Sequence, residues 1–350
     1  MNWAIIMAGG SGTRFWPESR KSRPKQFLSL FGRQTLLEQT FHRLRRFIPR
    51  DRILVFVSES KVALTRQLLK IPAGQVIGEP VGRNTAPCAL WAASYVMRKD
   101  PSAVLGIFPA DHYIRDEKAF TKAMRLSYGI AGQKGMPVTL GICPDFPHTG
   151  YGYLEMGRRL APGVFYLKQF REKPDLPSAK KYLKSKRFLW NAGIFIWRAD
   201  CLLEAGRQYL PDVFKITTAI AGEGCSRTSV KKLFSKCPAI SIDYGLMEKM
   251  TGQILTVPVS MGWNDVGGWA SLKKLLARRS DDNVSQGKTL LVESSGNFVR
   301  SQTKLIATVG LQDHVVIETS DAILVCPMKK TEEIRKIVSA LETAGMGQFL

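Results

Sequence analysis

The 350-residue sequence has little of what marks several common protein classes. Its six cysteines, Cys88, Cys143, Cys201, Cys225, Cys237 and Cys326, stand far apart with no Cys-x-x-Cys pair, and only four histidines accompany them. Neither a zinc framework nor a disulfide scaffold is supported by that spacing. No apolar run approaches the roughly 18 residues of a membrane span, and the N-terminus lacks a basic start followed by a long apolar stretch. The cytoplasm is the expected location, with no membrane partner, and the Asn283-Val284-Ser285 sequon has no expected use there. Acidic residues are scarce as well: 29 Asp and Glu against 51 Lys and Arg leave a formal charge of +22. Such an excess attracts anions, from nucleotides and sugar phosphates to nucleic acids. The basic residues are spread from Arg14 to Lys336 instead of being gathered on one face or tail with interleaved aromatics, which argues against nucleic acid. Low-complexity tracts, long linkers and convincing internal repeats are missing too.

What the chain does contain is enough apolar material, 45% of residues, for a large core, and its length suggests about two domains. Short apolar runs at Trp3 to Ala8, Ile53 to Val57, Val104 to Phe108 and Val138 to Ile142 read as buried parallel strands. Between them lie segments of helical period, such as Leu36 to Ile48 and Pro87 to Met97. The alternation implies a doubly wound α/β sheet, whose ligands bind beyond the carboxyl ends of the strands. A glycine-rich loop and the segment "FPADHY" occupy two such ends. Aromatic strands follow at Val164 to Phe170 and Leu189 to Trp197. After Arg278 to Asn283 come short β-rich pieces and an amphipathic helix from about Thr331 to Leu341. We expect a large domain over residues 1–280 and a small β-rich module over 281–350, the latter for packing or homodimer formation.

The glycine-rich loop belongs to "MAGGSGTRFWPESRKSRPKQF", residues 7–27. It lacks the third glycine of a dinucleotide fingerprint, which makes a hydride-transfer reading weak. Gly287-Lys288-Thr289 resembles the end of a P-loop, but Asp282 stands where the first glycine belongs, so an ordinary turn into a strand is expected. Glycines let backbone N–H groups converge on an anion without Cβ obstruction. Arg14 adds a planar fork and Lys25 a mobile point charge, together suited to a triphosphate and to charge building on leaving pyrophosphate. A plain strand-to-helix turn with solvated basic neighbours would use the same residues.

The order Gly9-Gly10-Ser11-Gly12-Thr13-Arg14, then Pro24-Lys25, resembles the signature of the sugar-phosphate nucleotidyltransferase family. With Phe15-Trp16-Pro17 and Gln26-Phe27 added, it resembles the mannose-1-phosphate guanylyltransferases in particular. "EPVGRNTAP" at 79–87, "FPADHYI" at 108–114, "TGYGYLE" at 149–155, "REKP" at 171–174, "WNAGIFIW" at 190–197, "IDYGLMEK" at 242–249 and "WNDVGGW" at 263–269 stand in the family's order. The resemblance therefore covers nearly the whole chain. Departures are Phe15 and Glu18 where leucine is expected, His148 for a common glutamate and Gly268 for a common serine. The resemblance implies that longer relatives carry an appended isomerase domain, and none is expected within these 350 residues.

The resemblance implies a Rossmann-like nucleotidyltransferase domain with a mixed, mainly parallel sheet, plus a small β-helix-like C-terminal module. It implies that a phosphate oxygen of mannose 1-phosphate attacks the α-phosphorus of GTP, giving GDP-mannose and pyrophosphate. Such in-line transfer depends on positioning and charge neutralisation. Arg14, Lys25, Asp111 and Asp265 would be catalytic, with Asp111 and Asp265 holding Mg²⁺ as oxygen donors. Ala8, Gly9, Gly10, Ser11, Gly12 and Thr13 would bind the nucleotide. Asn84 and Thr85 would lie near guanine and ribose, although by sequence they open a helix and would serve equally as its cap. Gly152, Tyr153, Glu172, Lys173 and Asn191 would take the sugar phosphate, with burial the alternative fate of Tyr153. His112 is expected to make a structural hydrogen bond, since a phosphate nucleophile is already ionised. No side chain offers itself as the reader of guanine. The alternatives are another sugar 1-phosphate or nucleotide, a non-catalytic GDP-mannose-binding regulator, and a basic nucleic-acid binder.

Overall fold

The computed structural model describes residues 1–10, 12–222 and 225–350. The apolar runs form strands of one nine-stranded sheet: β1 (Asn2–Ala8), β2 (Ile53–Ser58), β3 (Val76–Glu79), β4 (Val104–Pro109), β5 (Val138–Ile142), β6 (Tyr153–Ala161), β7 (Val164–Arg171), β8 (Phe188–Arg198) and β9 (Leu255–Pro258). Their spatial order is β3-β2-β1-β4-β8-β5-β9-β7-β6. The strands from β3 to β4 pair in parallel, with Ile5 opposite Leu54 and Ile107. The long β8 enters between β4 and β5 and runs antiparallel to both. β5 and β9 are parallel, and β9, β7 and β6 close the far side in antiparallel fashion. The mixed sheet is therefore observed, its parallel pairing split into two blocks by a strand that arrives late in sequence.

Helices cover the buried strands, as runs apolar on both faces require. The helix Thr85–Met97 buries nearly every side chain and packs Trp91 edge-on to Phe56, ring centroids 5.7 Å apart. The helix Glu117–Lys134 starts at Asp116, whose carboxylate accepts the backbone N–H groups of Lys118 and Ala119, and ends at a left-handed Gly135. Both ends follow from residue types that satisfy the orphan groups of a helix terminus.

The chain divides into two compact units. The first comprises Met1–Gly9, Thr40–Ala110 and Ile114–Trp263 and contains the whole nine-stranded sheet. The second comprises Gly10–Gln39, Asp111–Tyr113 and Asn264–Leu350. Phe15, Trp16, Leu28, Val266, Trp269, Phe298 and Val315 are all buried in the core of this second unit. Phe15 meets Trp269 edge-on at 4.9 Å, and the Trp269 indole N–H donates to the carbonyl of Trp16 at 3.1 Å. The aromatic pair after the glycine loop is thus core material for the second unit.

Within that unit β10 (Val284–Gln286), β12 (Phe298–Ser301) and β14 (His314–Glu318) stack in parallel. A second parallel ladder joins β11 (Thr289–Val292) to β13 (Ile306–Val309), and β15 (Ile323–Pro327) closes antiparallel on β14. Parallel coils stacked on two faces are the β-helix-like arrangement expected. Asn297, fully buried, links successive coils: its amide donates to Asn283 Oδ1 at 3.0 Å, and its Oδ1 accepts from His314 N at 2.9 Å. The asparagine of the apparent sequon is a rung of this ladder. Gly287 turns the chain at φ 85°, where an added Cβ would come within 2.1 Å of the Ser301 carbonyl, so the P-loop-like segment is a turn into β11. The terminal helix begins later than its pattern suggests: Met328–Glu333 is a 3₁₀ turn and the α-helix runs Ile334–Thr343. All six cysteines are free, and among the described residues no helix is long and apolar enough to cross a membrane.

Candidate functional site

The expected site residues are divided between the two compact units, and in each unit several of them gather around one side chain. In the second unit that side chain is Lys25. It is only 7% exposed, and its Nζ donates to Asp111 Oδ2 at 2.8 Å and to the backbone carbonyl of Asp265 at 2.7 Å. Three expected residues far apart in sequence are therefore brought together by one ammonium. Gly12 makes this possible: it lies at φ 63°, and a Cβ there would fall 2.2 Å from the Lys25 Cβ. Pro24, extended at φ −62°, leads into the 3₁₀ turn Lys25–Phe27 that presents the lysine. Burial pushes the Asp111 carboxyl up, but the charges of Lys25 and His112 and the Lys25 hydrogen bond outweigh it and hold Asp111 below its usual value. Asp111 is thus an anion at neutral pH.

Thr13 and Arg14 form the 3₁₀ turn that follows Gly12. Arg14 Nη1 donates to Glu332 at 3.1 Å in a half-exposed ion pair. Gly267 is the hub of this face, since a Cβ on it would lie 3.2 Å from Asp265 Oδ2 and 3.3 Å from Arg14 Nη1. A Cβ on Gly10 would meet nothing within 4 Å, which leaves its backbone open to a ligand. Ser11 lies outside the described residues. Among the described residues, no group of three or more His, Cys, Asp or Glu side chains assembles that could hold a metal. Asp111 and Asp265 both contribute carboxylate oxygens to this face.

In the first unit the hub is Asn191, on β8 and 8% exposed. Its Oδ1 accepts from Thr139 Oγ1 and from Gly193 N, both at 3.1 Å, and its Nδ2 donates to Asp243 Oδ1 at 3.0 Å. The Asn191 oxygen is thus taken twice within the fold, and one amide N–H remains. Gly152 accepts from Asn191 N at 2.8 Å, and a Cβ on it would strike Glu172 Oε2 at 2.4 Å. Glu172 thus occupies the room that Gly152 leaves. Burial, then the nearby charge of Asp243, pushes Glu172 up to about 7, and its Oε2 is buried without a partner. Lys173 sits beside it, Nζ to Oε1 3.3 Å, at φ 48°, a conformation unusual for a side chain of this kind. Tyr153 was expected at the sugar but is fully buried, and its hydroxyl donates to the His148 carbonyl at 2.9 Å. Its side chain is packed rather than presented. Asn84, at φ 68°, caps the helix Thr85–Met97 through its Oδ1, and Thr85 Oγ1 accepts from Ile242 N at 2.8 Å.

Two residues of the first unit were missed by sequence reasoning. Asp243 opens a π-turn, Asp243–Met247, in the segment "IDYGLMEK", where the motif was noticed but no role was drawn from it. Glu79 closes β3, is 7% exposed and leaves Oε1 without a hydrogen-bond partner. Burial pushes its carboxyl up to about 7. A Cβ on Gly9 would lie 3.3 Å from Glu79 Oε2, which places this carboxylate against the start of the glycine loop, after Ala8 closes β1. A glutamate before proline at a strand end was the available signal.

A family model for the nucleotidyl transferases matches residues 3–281, and one for a mannose-phosphate isomerase/GMP-like β-helix domain matches residues 287–341. The chain belongs to the nucleotidyl transferase family. It is 36% identical to mannose-1-phosphate guanylyltransferase 2 of Escherichia coli O157:H7, over 99% of this chain and 75% of that protein. It is 38% identical to the xanthan biosynthesis protein XanB of Xanthomonas campestris, over 98% of this chain and 74% of the relative. A crystal structure from Thermus thermophilus, named a mannose-1-phosphate geranyltransferase, superposes with a TM-score of 0.90 at 33% identity, covering 97% of this chain and 99% of that one. This chain is a nucleotidyltransferase with a β-helix-like C-terminal domain.

Proposed function

We propose that this chain transfers GMP from GTP to α-D-mannose 1-phosphate, releasing pyrophosphate and forming GDP-mannose. The observation that carries the proposal is the Lys25 hub: a buried ammonium tied to Asp111 and Asp265, on a face that also presents Arg14 and an open Gly10. Charged groups of this kind suit phosphoryl chemistry. The names of the guanylyltransferase relatives support the choice of sugar and base. We take the boundary between the two domains to be at 280/281, a reading supported by the spans of the two family models.

In this reading a phosphate oxygen of mannose 1-phosphate forms a bond to the α-phosphorus of GTP while the bond from that phosphorus to the bridging oxygen of pyrophosphate breaks. Lys25 and Arg14 neutralise charge on the triphosphate, and the backbone of Ala8, Gly9, Gly10, Gly12 and Thr13 approaches it. Asp111 and Asp265 fit Mg²⁺ by donor chemistry: both carry carboxylates, Asp111 is held ionised, and a hard cation would draw its remaining ligands from phosphate and water. When bound, Mg²⁺ would neutralise phosphate charge. Glu79 is the acceptor that guanine requires, because a carboxylate takes both the N1–H and the N2–H of guanine, whereas adenine turns a lone pair toward it. Glu172 and Asn191 take sugar hydroxyls, with Lys173 beside the sugar phosphate and Gly152 leaving room. We take the cytoplasm as the location, where nucleoside triphosphates are found and free thiols persist, and a homodimer as the assembly to be tested by light scattering. Pyrophosphate release measured across nucleotide and sugar 1-phosphate panels tests the function. GTP with mannose 1-phosphate is expected to give the highest kcat/KM, and silence with that pair overturns the proposal.

A further inference from the structure

Thr85 sits in the "GRNTAP" segment and was expected at the nucleotide, yet its hydrogen bonds lead elsewhere. Its Oγ1 accepts the N–H of Ile242 at 2.8 Å, while Ala86 N donates to Ile240 O at 3.1 Å and Ile240 N to Arg83 O at 3.3 Å. The start of the helix Thr85–Met97 is thus stitched to residues 240–242, the approach to the π-turn Asp243–Met247. The next residue, Asp243, receives Asn191 Nδ2 at 3.0 Å. Asn191 has its oxygen occupied by Thr139 and Gly193, so its amide orientation is fixed and a single N–H is left to point at a ligand. Without the acceptor at Asp243 the amide plane would lose the bond that sets its tilt. Without the bond to Thr85, Ile242 would lose the anchor that sets where Asp243 begins its turn.

We infer that Thr85 and Asp243 are positioning residues for the sugar 1-phosphate, acting through Asn191, and that Thr85 does not serve the nucleotide. The inference rests on the reading of Asn191 as a sugar-binding residue. It makes the helix start and the π-turn one device: a hydroxyl fixes a backbone N–H, the next carboxylate fixes an amide, and the amide meets a sugar hydroxyl.

Steady-state kinetics with each substrate varied separately test it. Thr85→Val keeps the branched shape and removes the acceptor, and Asp243→Ala removes the carboxylate. Both are expected to raise the KM for mannose 1-phosphate about fivefold to tenfold, the scale of one lost hydrogen bond, with the KM for GTP within about twofold of the parent. Thr85→Ser, which restores the oxygen, should return the sugar KM to the parent value, and Asp243→Asn should fall between parent and Asp243→Ala. A rise in the KM for GTP on Thr85→Val, or an unchanged sugar KM in both Thr85→Val and Asp243→Ala, overturns the inference. Unfolding midpoints report whether a variant has lost its fold, and Thr85→Ser keeps the test open should Asp243→Ala do so. Asn191→Ala separates the two readings: if it leaves the sugar KM unchanged, the sugar site itself has been misassigned.

Discussion

Glu79 and Glu318 are both hidden from solvent, 7% and 1% exposed, and they titrate in opposite directions. Glu318, at the end of β14 in the second unit, is held down to about 2 by the hydroxyl and N–H of Thr303 and by the N–H groups of Lys304 and Gln302. Glu79, at the end of β3 in the first unit, is pushed up to about 7 by burial, with its Oε1 left without a hydrogen-bond partner. The same contrast runs through the rest of each set: Asp111 is held down beside Lys25, while Glu172 is pushed up beside Gly152. A carboxylate that the fold itself uses is supplied with donors by the fold. One that is buried and left short of donors is a cost the folded chain carries until something with N–H or O–H groups arrives.

The largest effect comes from removing the cation that puts Asp111 on the satisfied side. Lys25→Met keeps the length of the buried stem and deletes the ammonium, so Asp111 loses its main compensation and, under the proposed function, the triphosphate loses a positive charge. We expect kcat to fall by about 10² to 10³, the scale seen when one preorganised charge-stabilising donor is lost. A fall of less than about tenfold at saturating GTP, mannose 1-phosphate and Mg²⁺ would remove Lys25 from the reaction and leave it a structural cation.

Glu79→Gln breaks the comparison from the other side. A carboxyl raised in the folded state from 4.5 to about 7 contributes stability that is fully present below pH 4.5 and is lost as pH rises through 7. The neutral amide has no such loss. In urea denaturation the variant should therefore exceed the parent by up to about 3 kcal/mol at about pH 8.5, with the difference closing toward pH 4.5. The KM for GTP should rise about tenfold, because the amide presents a donor where guanine N–H groups need acceptors. Equal stability at both pH values would mean that Glu79 already has partners, and its reservation for a ligand would fall with that result.

Much of the architecture was legible because buried strands announce themselves as apolar runs, and Trp3 to Ala8, Ile53 to Val57, Val104 to Phe108 and Val138 to Ile142 are all strands of the nine-stranded sheet. Strand direction was less so. A run apolar on both faces looks the same whether its neighbours are parallel or antiparallel, so the insertion of β8 between β4 and β5 left no trace in the pattern. The grouping of Gly10–Gln39 with Asn264–Leu350 was hidden for a related reason: it depends on Phe15 meeting Trp269, a contact that no local period encodes. The coils of the C-terminal domain escaped notice as a repeat because their rungs, Asn283 and Asn297 followed by His314, are unevenly spaced and differ in residue type. At the site, glycines and cations stood out because their chemistry is rare at such density. Asp243 and Glu79 did not, since an acid becomes informative only once its burial and its missing or fixed partners are known.

The smallest effect separates buried pairing from exposed pairing within the second unit. Arg14 and Glu332 are paired at 3.1 Å with side chains 44% and 64% exposed, whereas the Lys25 side chain is 8% exposed in its pair with Asp111. Under the proposed function an incoming triphosphate would compete with Glu332 for the Arg14 guanidinium, so Glu332→Gln should lower the KM for GTP. An ion pair this exposed is worth at most about 1 kcal/mol, which limits the gain to about fivefold. Salt supplies the sharper reading: the advantage of Glu332→Gln over the parent should shrink toward nothing as ionic strength rises to about 1 M, since solvent-exposed charges are screened there. A KM that rises in the variant would make Glu332 a support that aims Arg14 at the nucleotide, because a competitor's removal can only help the ligand it competes with.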